Sequence, residues 1–370
     1  MTAPLKILML STPVGPLGSG LGGGVELTLR TFAQELGRRG HCVHCVAPEG
    51  SMLDSGSLVT ISGNWQTTAQ SQGRETPITM PKDSVLAKMW DYGRQVQAQY
   101  DVLVNFAYDW LPFYLTPFFD RPIAHLVSMG SLNDALDLAV AQVAQQYPGS
   151  VAVYSRTQAE TFAFPDQCTP LASGLDLSLY EFCAEPEDCL GWVGRIAPEK
   201  GLEDAIAAAQ RTKLPLKVWG AMPDEDYWNQ IRQTFPDAPV EYGGFLSTRD
   251  LQRGLRRCRA LIMTPRWVEA FGIVAIEALA CGVPVIAYRR GGPTEIIREG
   301  KTGWLVEPDR VEALVEAIAR IDQLDRAACR AQAEAEYSLE ALGDRVEAWL
   351  RATINNHAQR NEVRCKTLPE

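Results

Sequence analysis

Short runs of apolar, often β-branched residues alternate along this chain with longer amphipathic stretches, and that alternation leaves few folds open. Runs of four or five such residues suit strands buried on both faces, and the stretches between them suit helices packed on a sheet. The pattern predicts an α/β protein with parallel sheets. Lys6–Leu10 reads as a strand, 25–39 as a helix and 42–47 as a strand, which makes a first βαβ unit. The helix closes on Arg38-Arg39-Gly40, basic residues followed by glycine, as a helix C-terminus should. Residues 50–83 are rich in Ser, Gly, Thr and Gln and read as loops and weak strands. Further strands are expected at 102–106, 123–127 and 151–154.

The alternation restarts near residue 185. Leu190–Val193 is a strand, 201–210 a helix and Leu216–Trp219 a strand, followed by strands at Val240–Tyr242, Ala260–Met263, 283–287 and Gly303–Val306. The 370 residues therefore divide into two similar α/β halves with a seam inside 170–190, so that domains of 1–175 and 176–338 are expected. A last strong helix, 339–351, follows the second half, and the polar residues 355–370 read as a frayed tail.

Bulk properties exclude several classes. The net charge is -10 and no long Lys/Arg run occurs, so no nucleic-acid partner is expected. No apolar stretch reaches the roughly 20 residues of a membrane span. The apolar run after Lys6 is too short for a signal-peptide core and fits a first strand. Nine scattered cysteines without a framework suggest reduced, mostly buried thiols and a cytoplasmic setting. Cys42 and Cys45 have CxxC spacing, but a strand points them to opposite faces.

Three segments can carry chemistry. Gly18-Ser-Gly-Leu-Gly-Gly-Gly24 lies between the first strand and helix, where glycines let backbone approach a ligand and the helix start can hold an anion. It lacks the acidic residue that closes the second strand of a dinucleotide fold, so it is either a ligand loop or a flexible one. Next, Gly191-Trp-Val-Gly-Arg-Ile-Ala-Pro-Glu-Lys-Gly201 presents Arg195 and Lys200 on a strand-to-helix loop beyond Gly194. Two cations there suit a diphosphate, or are solvated surface charges. The third runs from Pro265 to Val285. Glu269 falls in its loop, the amides of Gly272, Ile273 and Val274 open a helix, and Glu277 sits inside that helix among Ile276, Ala278 and Leu279. A carboxylate in so apolar a setting needs partners, either a ligand or an internal Arg or Lys.

These segments together resemble the retaining glycosyltransferase family 4 of the GT-B fold. The matching motifs are Gly-Arg-x-x-x-x-Lys-Gly (194–201), Glu-x-Phe-Gly-x-x-x-x-Glu (269–277), Ala-x-Gly-x-Pro-Val (280–285), Gly-Gly-x-x-Glu (291–295) and Gly-Lys-Thr-Gly-Trp-Leu-Val (300–306). Ser-Gly-Leu-Asp (173–176), Gly-Gly-Val-Glu (23–26) and Arg-Gly-His (39–41) add to them. The resemblance implies two Rossmann-like domains facing a cleft, the first binding acceptor and the second the donor nucleotide sugar, with helix 339–354 crossing back onto the first domain. It assigns Arg195 and Lys200 to the diphosphate, Glu277 to the ribose, and Glu269 with the Phe271–Val274 backbone to the transferred sugar. Gly23 and Gly24 join the donor site by the same reasoning. Ala270 stands where the family usually has glycine, and Ser128 and Met129 stand where it often has a histidine near the anomeric carbon. His125 reads as core, which leaves a backbone carbonyl near Ser128 for the missing role.

Catalysis in such enzymes stabilises a departing diphosphate while positive charge grows at the sugar carbon. Two cations and a helix N-terminus do this without a metal, and no cofactor is expected beyond the nucleotide sugar, with UDP-glucose the expected donor. Asp224-Glu225-Asp226 has the form of a metal motif, but its place after Gly220-Ala-Met-Pro suits a helix start. Retention, by same-face attack, follows from the resemblance. Residues 11–26 look like the opening of cyanobacterial glucosyltransferases that place glucose on tetrahydrobiopterin. Tyr108, Asp109, Ser128 and Met129 are then acceptor-side candidates, with the aromatics of 106–119 offering either stacking faces for a pterin or a buried core. A lipid or polysaccharide acceptor, an epimerase of the same fold and a non-catalytic nucleotide-binding protein are the competing readings.

Overall fold

Ile7, Leu8, Met9 and Leu10 are all fully buried, so β1 (Lys6–Leu10) is covered on both faces and needs helices above and below it. The computed structural model of the chain describes residues 3–19, 23–53, 56–69 and 73–367. It divides into one unit of Met1–Ser173 with Glu340–Glu370, and another of Gly174–Leu339.

In the first unit, β1 is followed by α1 (Gly24–Arg38), β2 (Cys42–Pro48), β3 (Ser57–Ile61), α2 (Val85–Val96), β4 (Val102–Asn105) and α3 (Trp110–Leu115). Then come β5 (Ile123–Leu126), α4 (Asp134–Gln146), β6 (Val151–Val153), α5 (Arg156–Ala159) and the short β7 (Thr169–Pro170). The seven strands pair in the order β3-β2-β1-β4-β5-β6-β7, and every pairing is parallel. Met9 lies opposite Cys45 on one side and Val104 on the other. Leu8, Leu10 and Leu103 pack against Val85, Met89 and Trp90 of α2, while Phe32 of α1 meets Phe106 edge-on at 5.6 Å. Helix starts are fixed by side chains as N-caps: Ser84, Asp109, Asn133 and Ser155 accept from backbone N–H groups of α2 to α5. Cys42 is exposed and Cys45 buried, on opposite faces of β2. The eight cysteines with described side chains are free thiols, six of them buried.

The second unit contains β8 (Leu190–Val193), α6 (Leu202–Thr212), β9 (Leu216–Trp219), α7 (Glu225–Thr234), β10 (Val240–Tyr242), α8 (Thr248–Leu255), β11 (Ala260–Met263) and α9 (Ile273–Ala280). It continues with β12 (Val285–Tyr288), α10 (Pro293–Ile296), β13 (Gly303–Val306), α11 (Val311–Ile318) and α12 (Arg326–Glu336). Its six-stranded sheet has the order β10-β9-β8-β11-β12-β13, again all parallel. β12 starts at Val285, two residues later than expected, because Pro284 has no N–H to give a ladder. Leu202, Ile206 and Ala209 of α6 share one core with Leu314, Ala317 and Ile318 of α11.

The last helix, α13 (Leu339–Thr367), belongs to the first unit from Glu340 onward. Arg39 pairs with Asp344 at 2.8 Å, Arg345 Nε donates to the Leu171 carbonyl at 2.6 Å, and Trp349 Nε1 to that of Gly149 at 2.9 Å. The expected frayed tail is corrected here: the helix runs on past residue 355. Asn356 Nδ2 donates to the Pro148 carbonyl, His357 Nε2 bonds the Asp120 carbonyl, and Arg360 lies over the Tyr147 ring at 4.0 Å. These polar contacts hold a segment that has no apolar stripe to announce it.

Candidate functional site

The second sheet sets up a site by its strand order. The chain runs outward from β8 to β9 and β10, then returns to lay β11 on the other flank of β8. Loops leaving the carboxyl ends of β8 and β11 therefore diverge, and such a switch point is where α/β sheets bind ligands. Both segments singled out in this half leave from it. They are joined by Thr264, whose Oγ1 donates to the Gly201 carbonyl at 2.7 Å, and by the Arg266 amide, which donates to the Glu199 carbonyl at 2.8 Å.

That stapling brings Lys200 Nζ to 2.5 Å from Glu269 Oε2. The Trp267 indole N–H donates to the same oxygen at 3.1 Å, and its ring lies 4.8 Å from the ammonium. An ammonium has three donors, so Lys200 can hold Glu269 and still bind phosphoryl oxygens. Arg195, on the same loop, is ion-paired with Glu199 and is partly exposed. The sequence placed Lys200 and Glu269 at one site; Trp267 and Glu199 as their partners were not foreseen.

The β11 loop ends at Gly272 (φ 94°), which caps α9, with Phe271 buried and Ile273 and Val274 half-buried in the opening turn. The first N–H groups of a helix have no partner within it, and they point toward an incoming anion. The loop is held by Gly291 and Gly292. The Gly292 amide donates to the Glu269 carbonyl at 2.7 Å, and a Cβ on either glycine would collide with the backbone of Glu269 or Phe271. Gly194 abuts Gly220 so closely that a Cβ on Gly220 would overlap the Gly194 carbonyl.

Glu277, inside α9, is only 6% exposed. Its partner is neither Arg nor Lys: the Tyr180 hydroxyl donates to Oε1 at 2.8 Å. Burial pushes the Glu277 carboxyl up to about 7, with the Tyr180 bond acting the other way, and burial raises the Tyr180 phenol as well. Asp224 accepts from the Tyr227 amide at 2.9 Å as the cap of α7, a helix-start role for the Asp224–Asp226 run. Among the described residues no cluster of three His, Cys, Asp or Glu could hold a metal ion.

The remaining candidates lie in the first unit. Gly23 (φ 61°) caps α1 and Gly24 begins it, while Gly20, Leu21 and Gly22 of the glycine-rich run lie outside the described residues. Asp109 caps α3 by accepting from the Leu111 amide at 3.0 Å, and Gln66 Nε2 donates to its other oxygen at 2.7 Å. The Tyr108 hydroxyl donates to the Gly130 carbonyl at 2.9 Å and accepts from the Leu132 amide at 3.2 Å. Ser128 and Met129 are half-buried just after β5, and Gln158 Nε2 donates to the carbonyls of Val127 and Met129, both at 2.8 Å. His125 is fully buried between Asn105 and Thr116 and stacked on Phe113 at 4.5 Å; burial lowers it to about 3, so it is a neutral core residue. The aromatics of 106–119 divide: Phe106 and Phe113 are core, while Tyr114 is 50% and Phe118 62% exposed. No helix of the described residues is long and apolar enough to cross a membrane.

Comparison with known proteins places this geometry. Residues 183–337 match the family Glycosyl transferases group 1. D-inositol 3-phosphate glycosyltransferase of Rhodococcus opacus is 40% identical over 228 residues, 52% of this chain and 50% of that protein. Glycogen synthase of Mycobacterium tuberculosis is 31% identical over 166 residues, 42% of this chain and 40% of that protein. The chain thus spans half or less of the length of the curated relatives it matches. Among solved structures, Anabaena HepE in complex with UDP and glucose superposes with a TM-score of 0.73 at 18% identity, covering 94% of this chain and 100% of that one. Sucrose-phosphate synthase from Thermosynechococcus elongatus gives a TM-score of 0.68 at 19% identity, over 98% and 100% of the two chains. The fold is GT-B, and residues 183–337, which carry the Lys200–Glu269 pair, match the glycosyltransferase group 1 family.

Proposed function

We propose that the protein is a metal-independent, retaining hexosyltransferase that moves glucose from UDP-glucose to a small acceptor, a reduced pterin such as tetrahydrobiopterin being our choice. The observation that carries this reading is the Lys200–Glu269 contact at the β8–β11 switch point, beside the N-terminus of α9. Lys200, Arg195 and the first amides of α9 would receive the diphosphate, whose negative charge rises as the glycosidic C–O bond breaks. Glu269, fixed by Lys200 and the Trp267 indole, would face the sugar and offset charge at its anomeric carbon. A carboxylate held by two donors is a poor nucleophile. The acceptor hydroxyl therefore attacks from the face that the diphosphate leaves and passes its proton to a departing phosphate oxygen, which retains configuration. Glu277 would accept hydrogen bonds from the ribose hydroxyls. The test is incubation with a panel of nucleotide sugars and a reduced pterin, with product followed by mass. Glucosylated pterin is the expected outcome, and nucleotide release no greater than from boiled protein would overturn the enzyme reading.

A further inference from the structure

The first sheet has its own switch point. From β1 the chain runs outward to β2 and β3, then crosses back to set β4 on the other flank of β1. The crevice beyond the carboxyl ends of β1 and β4 is therefore the place in this unit built to take a ligand. Three side chains reach it from separate segments. Thr12 follows β1, Asp109 follows β4, and Gln66 arrives on the segment after β3, where its amide N–H donates to the Pro13 carbonyl at 3.0 Å.

Their hydrogen bonding is unbalanced in one direction. Gln66 Nε2 donates to Asp109 Oδ2 at 2.7 Å, which fixes the orientation of the amide, since only the NH2 group can donate to a carboxylate. The opposite atom, Gln66 Oε1, is buried and has no partner among the described residues, and neither does the buried Oγ1 of Thr12. Buried polar atoms are nearly always paired, with protein, water or ligand, so two orphans at one switch point leave positions that a ligand's polar groups can take. Asp109 has bonds from Gln66 and the Leu111 amide and lone pairs to spare. The neighbouring Tyr108 hydroxyl already both donates and accepts. Arg74 is turned to Ser131, Asp134 and Asp137. Among the described residues, the three side chains of the cluster thus offer acceptors and one hydroxyl, and none of them is a cation.

We infer that Gln66, Asp109 and Thr12 form the acceptor-recognition site of the transferase proposed above, selecting an uncharged group that presents at least two N–H or O–H donors and rejecting an anionic one. Gln66 Oε1 and Asp109 receive the donors, and Thr12 takes either role. A phosphate at the same place would set acceptor against acceptor beside a carboxylate. A heterocyclic N–H edge and a polyol share the required chemistry, and the experiment separates them.

The full chain is titrated by calorimetry with a reduced pterin, myo-inositol and inositol 3-phosphate, with wild type, Gln66→Met and Asp109→Asn compared. Asn keeps one oxygen for the α3 cap, so the second variant folds; it removes the charge and the oxygen that accepts from Gln66. UDP-glucose turnover is measured in parallel with and without each acceptor. We expect a neutral acceptor to bind at least tenfold more tightly than inositol 3-phosphate, and both variants to weaken it at least tenfold. UDP binding, which rests on residues of the second unit in the proposed function, should change less than twofold. Binding of none of the three probes, a preference for the phosphorylated one, or variants that bind as wild type does would overturn the inference. Variant-sensitive binding of a neutral probe without any nucleotide-sugar turnover would uphold this site and remove the transferase reading alone.

Discussion

Replacing Glu277 by Gln should make the ligand-free protein more stable, and only at neutral or higher pH. The carboxyl ordinarily titrates near 4.5 and is raised by burial to about 7 in the folded chain. Below pH 4.5 both folded and unfolded states hold the proton, and no penalty exists. As pH rises toward 7 the unfolded state releases it first and is favoured, and above 7 the penalty is complete. At about 1.4 kcal/mol per pH unit, the full penalty is about 3 kcal/mol at pH 8 and below about 1 kcal/mol at pH 5. Gln keeps an oxygen for the Tyr180 hydroxyl, so the variant removes the charge and leaves the bond. For a unit the size of Gly174–Leu339 this corresponds to a rise in melting temperature of about 6–12 °C at pH 8. Calorimetric melts of both proteins at pH 5 and pH 8 are the assay, with nucleotide affinity as a second readout expected to fall. An equal shift at both pH values, or a variant less stable at pH 8, would refute the reasoning.

Lys200→Ala should lower kcat/KM for the nucleotide sugar by about 10²–10³, because it removes the cation proposed to receive the diphosphate and leaves Glu269 with the indole alone; steady-state kinetics within threefold of wild type would take the role from Lys200. Gly292→Ala should destabilise the second unit by more than about 2 kcal/mol, since its Cβ would meet the Phe271 backbone, and denaturant melts check this. Trp349→Ala should cost about 3–5 kcal/mol in the first unit by emptying a buried site and losing the bond to the Gly149 carbonyl, measured in the same melts.

Strands were readable because a parallel strand covered on both faces is a continuous apolar run: Lys6–Leu10, Leu190–Val193 and Ala260–Met263 stand where their residues place them. The loops that carry Arg195, Lys200 and Glu269 were readable because each motif is local, a strand end, a loop and a helix start. Partners distant in sequence were not. Tyr180 lies 97 positions from Glu277 and Gln66 lies 43 from Asp109, and nothing in either neighbourhood announces the other. The end of α13 was missed for a different reason. Asn356, His357 and Arg360 hold it through polar contacts with Pro148, Asp120 and Tyr147, and hydrophobic periodicity is blind to those.

A crystal structure of the protein soaked with UDP would bear most directly on the donor site. The diphosphate should lie at the β8–β11 switch point, with phosphoryl oxygens about 3 Å from Lys200 Nζ and from the first amides of α9, and the ribose hydroxyls on Glu277. UDP bound elsewhere, or at this point with Lys200 and Glu277 out of reach, would contradict the account.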